Sequence, residues 1–415
     1  MAAPTVGEAF ELRVARVLHG EGAFVRRRVN LDQDVGGRLQ VTDLDVLAFF
    51  FDDTLRLRLE TGECKTSEAK SAPSAKDRLL WLAGVNRLVE AEGGFLATTK
   101  RARDTDRYFA RSLSLELVDL EDLGRREAIL GLRSETGVSV HSADAVTLER
   151  IVDTAMTKDE ELRRVWSFIR SELWLGEPVP ALKRALGAMR VLGQRWSPAL
   201  SERELRVVKW LASETIIGFA LAVTRLAGES YRAPEDAFAK HLNERLAEGL
   251  ASYAAMREIA KQVDAFLVGV LREAGADDRH VVGAIGALAP RPPGYAEPLL
   301  ELIQRVAAEP RLARQLPRLT EAYLALDLYG GDLGGEEAPA ARLLRLLEAF
   351  IQRQGRLPEE LTAPLRRRPV SVASEPANEE EASTDDGSNG PSSAEAADEG
   401  ERLFEDRPAS PARKR

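Results

Sequence analysis

The chain has 415 residues, a length for two or three domains, and 44% hydrophobic with 30% charged residues gives it enough apolar material for packed cores. Its one cysteine, Cys64, excludes an internal disulfide and a cysteine-built zinc site, and a reducing compartment fits best. The formal net charge is −9, but residues 371–415 carry 12 acids and 5 bases, so the remainder is near neutral and neither favours nor excludes a nucleic-acid partner.

The opening residues lack the apolar core of a secretory signal, and a cytoplasmic location is expected. Residues 7–19 (GEAFELRVARVLH) read as an amphipathic helix with Phe10, Val14, Val17 and Leu18 on one face, stopped by Gly20 and Gly22. Residues 23–31 predict a short strand, followed by a polar turn at 32–37. Residues 39–51 (LQVTDLDVLAFFF) are apolar on both faces apart from two aspartates, as in a central, doubly covered strand. After a turn at Asp52-Asp53-Thr54, residues 55–65 (LRLRLETGECK) return as a second strand. A loop (66–74) leads to a helix at about 75–92, ended by Gly93-Gly94. A strand at 95–99, a partly helical polar segment and a last strand at 113–119 complete an α/β region around a mixed sheet.

Beyond about residue 121, strand signals vanish. Helical patterns follow at 145–175, 178–193, 200–228, 234–274 and 296–307, with others up to 354, punctuated by prolines. The most apolar stretch, 210–228, holds Glu214 and Arg225 and is too short and interrupted for a membrane span, so no membrane partner is expected. The expected organisation is an α/β domain (1–122), a connecting segment (123–144), an all-α domain (145–368) and a disordered acidic tail (369–415). The four histidines, His19, His141, His241 and His280, show no ligand spacing.

The chemistry concentrates on the two long strands. Residues two apart in a strand share a face, so Asp43 and Asp45 point one way, and Glu63 and Lys65 point together with Cys64 opposite. A tight hairpin at Asp52–Thr54 predicts Asp43 near Glu63, with Asp45 one diagonal step away, close enough for two carboxylates to share a divalent cation. Charged groups in an apolar strand pair must be paired, hydrated or metal-bound, and Lys65 alone offsets only part of three acids. Hard carboxylate oxygens suit Mg²⁺, with Mn²⁺ as a substitute. Such a metal activates water and neutralises a phosphodiester's developing charge, with Lys65 beside it.

The strand pair TDLDVLAFF…TGECKT resembles the core of the PD-(D/E)xK nuclease superfamily, and most closely restriction endonuclease-like proteins of the Mrr type. Asp45 matches the first-strand aspartate, and Glu63-Cys64-Lys65 matches Glu-x-Lys one hairpin later. The opening helix and strand are also similar, and put Glu11 where several members carry an auxiliary glutamate near the metal. The resemblance covers about residues 7–120. It implies a restriction endonuclease-like fold, Mg²⁺ held by Asp45 and Glu63, catalysis with Lys65, and hydrolysis of DNA, with bacterial defence against foreign DNA as a setting by analogy.

Other residues divide between function and plain structure. Asp43 reads as a second metal contact or a surface residue. Lys70, Lys76 and Arg78 are the expected DNA-phosphate contacts. Arg26–Arg28 fit phosphate contacts or strand decoration equally, and Lys100, Arg101, Arg103 and Arg107 form a second basic patch interrupted by Asp104 and Asp106. Trp81, Trp166, Trp174, Trp196 and Trp210 read as packing anchors, and Cys64 as a small core residue. The alternative function is a catalytically silent nucleic-acid-binding or scaffolding module. The helical part is expected to engage DNA, a partner protein or another copy of the chain.

Overall fold

A capping box opens the first helix, α1 (Val6–Gly20): the Thr5 hydroxyl accepts from the Glu8 N–H, and the Glu8 carboxylate accepts from the Thr5 N–H. In the computed structural model, residues 3–34, 38–66, 74–132, 140–156, 159–248, 253–275, 291–330 and 341–366 are described. The expected tail, Lys70 and His280 lie outside them.

Three strands then run as an antiparallel meander: β1 (Phe24–Asp34), β2 (Arg38–Phe51) and β3 (Leu57–Lys65). Helix α2 (Ala75–Leu88) crosses to β4 (Gly93–Thr98), which lies parallel to β3. Helix α3 (Asp104–Ser112) leads to β5 (Leu115–Val118), parallel to β4, and the five strands sit in sequence order. The fold is therefore α/β with a mixed sheet, as expected.

Gly93 and Gly94 open β4 rather than ending α2. Asn86 explains this: its amide donates to the Gly93 carbonyl (2.9 Å) and its side-chain oxygen accepts from the Thr61 hydroxyl. At Gly94 a Cβ would meet the Thr61 backbone oxygen, so the close approach of β4 to β3 requires glycine there.

Each sheet face has its own cover. On one side α1 and α4 (Leu120–Ile129), the latter spanning the boundary expected at 122, bury Phe10, Val14, Val46, Cys64, Phe95 and Leu123 together. On the other, α2 and α3 bury Leu79, Leu82, Leu96, Leu115 and Leu117. Gly62 on β3 lies under the Phe95 ring, and a Cβ there would fall inside the ring's van der Waals envelope. Gly62→Ala is expected to lower stability by about 1–3 kcal/mol through this overpacking, read as a fall in the urea midpoint, and by less in a Phe95→Leu background.

The helical region comprises α5 (Ala143–Ala155), α6 (Glu160–Ile169), α7 (Glu172–Leu175), α8 (Pro178–Arg195), α9 (Glu202–Arg232), α10 (Glu235–Ala247), α11 (Tyr253–Glu273), α12 (Ala296–Ala307), α13 (Pro310–Ala313), α14 (Leu316–Tyr329) and α15 (Ala341–Phe350). The single helix expected over 145–175 is three, broken where Asp159 and Ser171 start new turns. Among the described residues, α9 is the one helix long and apolar enough to cross a membrane. Because 89% of its apolar window is buried inside the protein, it is the central core helix.

Sheet and helices share one hydrophobic core. Phe24 of β1 packs against Phe49 of β2 (ring centroids 5.7 Å apart) and against Trp174 of α7 (6.0 Å). Leu47, Phe49 and Leu55 cluster with Leu211, Phe219 and Leu226 of α9. Trp174 and Trp210 are buried and Trp81, Trp166 and Trp196 partly so, all in packing roles. Charged struts reinforce the junction: Arg26 pairs with Glu321 of α14 (2.8 Å) and Glu214 of α9 (3.5 Å), and Arg27 with Glu149 of α5 (3.1 Å). Arg26 and Arg27 are thus buried struts rather than phosphate contacts.

Candidate active site

The site lies where β2 and β3 part. Their pairing ends at Val46–Gly62, whereas β2 continues along β1 and β3 continues along β4 as far as Lys65–Thr98. One step beyond the last pair, Asp45 stands opposite Glu63. The Asp45 carboxylate takes the place of a lost ladder partner, with its Oδ2 accepting from the Cys64 N–H (2.7 Å). A tight fork therefore aims an acid from each strand at the same gap.

This register differs from the expected one, in which Asp43 lay nearest Glu63. The cause is the hairpin. Asp52 caps a loop that runs through Arg56, and Leu55 adopts a left-handed backbone (φ 59°) to bury its side chain beneath α9. The loop is longer than a tight turn, so the strands slip and Asp45 reaches Glu63. At Gly228 of α9 a Cβ would collide with the Leu55 carbonyl, so this seat requires a glycine.

Strand parity also fails at Asp45. The β1–β2 pairing skips Arg28 and Asp45, between Arg27–Val46 and Val29–Leu44, and Arg28 has a left-handed backbone (φ 54°). Leu44 joins the same core as Leu47 and Phe49, while Val46 and Ala48 face α1. The face therefore switches between Leu44 and Val46. Asp43 is exposed and pairs in register with Asn30, away from Glu63. A left-handed non-glycine residue costs about 1–3 kcal/mol, a strain found where function or packing holds it.

Lys65 bridges the two acids, with Nζ 2.6 Å from Glu63 Oε1 and 3.8 Å from Asp45 Oδ2. Arg78 of α2, expected to meet DNA, instead points a guanidinium nitrogen at Glu63 Oε1 (3.4 Å). Glu11 of α1 is near the fork but is tied to Arg28 (3.0 Å), which also holds Glu8. The three acids Glu11, Asp45 and Glu63 are thus balanced by Arg28, Lys65 and Arg78, more fully than Lys65 alone allowed.

Electrostatics follow from burial. Glu63 is almost completely buried and Lys65 is 40% exposed. Burial raises the Glu63 pKa above the usual carboxylate range, with Asp45 adding to it against Lys65 and Arg78. Burial also raises Glu11, over the opposition of Arg28. For Lys65, burial opposes the charge, but the Glu63 hydrogen bond and both acids outweigh it and raise the ammonium pKa. Lys65 therefore stays charged at neutral pH. Cys64 points into the α1 side of the core, and burial raises its thiol well above normal.

Among the described residues, Asp45 Oδ1 and Glu63 Oε2 accept no hydrogen bond, so each acid keeps one hard oxygen for a divalent cation. Of the other basic residues, Lys76 and Lys100 are exposed. Arg107 pairs with Asp119 (2.7 Å) and Asp122 (2.6 Å), which spends its charge within the protein, while Arg103 pairs with Asp106 (2.9 Å) at the surface.

No family model, curated protein or solved structure matches this chain.

Proposed function

We propose that the chain is a metal-dependent DNA endonuclease of the PD-(D/E)xK kind, with Asp45, Glu63 and Lys65 as its catalytic residues. The observation that carries this reading is the convergence of Asp45 and Glu63 across the β2–β3 fork, with the Lys65 ammonium between them. The α-β-β-β-α-β order of the sheet is also the one the resemblance implies.

Asp45 Oδ1 and Glu63 Oε2 would hold Mg²⁺, or Mn²⁺ in its place. A bound Mg²⁺ supplies Lewis-acid activation of water and of the scissile phosphate. Glu63 must be ionised to ligate, so its raised pKa predicts weaker metal binding as pH falls. Lys65 can swing from Glu63 toward the pentacovalent phosphate, where a fixed positive charge stabilises developing negative charge. Arg78 then remains as the counter-charge of Glu63. Lys76 is exposed two residues before Arg78 on the first turns of α2, where it can meet a DNA backbone. Glu11 acts as an auxiliary residue through Arg28. A cytoplasmic setting and a role against foreign DNA remain part of the proposal by analogy only.

A second reading is a silent DNA-binding or scaffolding module, favoured by the internal charge balance of the cluster. Assembly through the helical region has its own support. On α11, Met256, Ile259, Val263, Phe266 and Val270 are exposed at alternating spacings of three and four, the pattern of a helix-pairing seam. Supercoiled plasmid incubated with purified protein and Mg²⁺, against a chelator control, separates enzyme from module: nicked or linear product only with metal supports the enzyme. The absence of metal-dependent product across plasmid and linear DNA would overturn it.

A further inference from the structure

The histidines that are scattered in sequence are not scattered in space. His19 sits in the last turn of α1, His141 just before α5, and Glu321 in the second turn of α14. One ligand atom from each lies within 4.8 Å of the other two. The two imidazole rings meet edge to face, with centroids 5.6 Å apart. His19 Nδ1 and Glu321 Oε2 are both buried and have no hydrogen-bond partner, which is costly for polar atoms unless something else satisfies them.

We propose that His19, His141 and Glu321 form a second metal site, distinct from the Asp45–Glu63 pair, that takes one Zn²⁺ ion and staples α1 to the helical region. Two imidazoles and one carboxylate are the borderline donor set that selects Zn²⁺ over Mg²⁺. Zinc bonds of about 2.0–2.1 Å bring tetrahedral ligand atoms to roughly 3.3 Å from one another, so the side chains close on the ion by small rotations. A cavity of about 50 Å³ adjoins the cluster through His141 and Glu321, with Arg26 and Glu214 also in its wall.

The protonation states agree with this. Burial lowers the His19 pKa to about 3, with Arg318 and Arg26 acting in the same sense. Burial also drives His141 well below its usual value. Both rings are therefore neutral near pH 7, the form that ligates metal. Burial raises Glu321 to about 7, so a cation competes with a proton there. Arg26 is engaged by Glu214 and by the other oxygen of Glu321, and Arg318 donates to the His19 carbonyl (3.0 Å). The charges of Arg318, Arg26, Arg27 and Arg16 oppose an ion, and the two imidazoles with Glu321 must outweigh them.

The test is Zn²⁺ titration of the metal-stripped full chain by calorimetry, with metal analysis after dialysis. The wild type and Glu63→Ala are expected to share one tight equivalent, and any weaker second equivalent at Asp45 and Glu63 is expected to be lost in Glu63→Ala. His19→Gln and Glu321→Gln are expected to bind the tight equivalent at least tenfold more weakly. X-ray absorption of the zinc-loaded wild type, which depends on no variant folding, is expected to show scattering from two imidazoles. No bound equivalent, equal affinity in both ligand variants, loss of the tight equivalent in Glu63→Ala alone, or a spectrum without imidazole scattering overturns the site.

Discussion

Glu63→Ala and Lys65→Ala are each expected to cut Mg²⁺-dependent DNA cleavage by on the order of 10²–10³-fold, the cost of losing one preorganised electrostatic group at a phosphoryl-transfer centre. The two losses differ in kind. Glu63 offers its second oxygen to the cation, so alanine there should also weaken Mg²⁺ binding, and higher metal should recover part of the rate. Lys65 touches no metal in this reading, so its alanine variant should keep the metal dependence and lose kcat. Both variants should still bind DNA. A gel assay of plasmid conversion over a Mg²⁺ series, with circular dichroism as the fold control, reads all of this. Equal cleavage by the wild type and both variants would show that the product comes from a contaminant. Glu63 is nearly buried and bonded to Lys65, so each deletion strips the other of its shortest ion pair, leaving Lys65 only Asp45 or Glu63 only Arg78, and the fold control is essential.

Arg26→Ala is expected to be the most destabilising single change on the sheet, by about 3–5 kcal/mol. It removes one partner of a buried ion cluster and leaves Glu214 and Glu321 uncompensated. Arg26 also lies over the rings of Phe24 (4.7 Å) and Trp174 (4.4 Å), so packing and cation–π attraction go with it. The effect depends on pH in a definite sense. Burial raises Glu321 to about 7 in the folded state, against 4.5 for the free group. A raised acid pKa means the folded state holds the proton more tightly than the unfolded chain. The Glu321 contribution is therefore fully present below about pH 4.5 and is lost as pH rises through 7. Without Arg26 the folded pKa climbs further. The difference between Arg26→Ala and wild type should be largest at pH 8 and shrink toward pH 5.5. Urea unfolding at the two pH values measures it. A loss below about 1 kcal/mol at pH 8 would refute the strut assignment. Glu321→Gln in the Arg26→Ala background should recover part of the loss, since a neutral amide needs no counter-charge.

Much of the sheet region was legible because local pattern governs it. Continuous apolar runs bounded by turn residues set β2 and β3 within two residues. The helical spacing of Phe10, Val14, Val17 and Leu18 marked α1. The pairing of Asp45 with Glu63-x-Lys65 was legible as spacing alone. The register was not, because Leu55 is drawn under α9, a helix more than 140 residues later. Nor could strand periodicity foresee the left-handed Arg28 that turns Asp45 away from the face of Asp43.

The sequence by itself determined element type, the α/β-then-helical order and the identity of the three catalytic candidates. Those depend on side-chain period, turn chemistry and residue type, all local. Only the tertiary structure decided which charges meet. It made Arg26 and Arg27, which the sequence left evenly between phosphate contact and strand decoration, into buried struts, and it moved Arg78 into the site. It also brought His19, His141 and Glu321 together from positions up to 302 residues apart. No spacing rule reports such encounters, because they are set by how the helical region closes over β1, which is a matter of packing between distant segments.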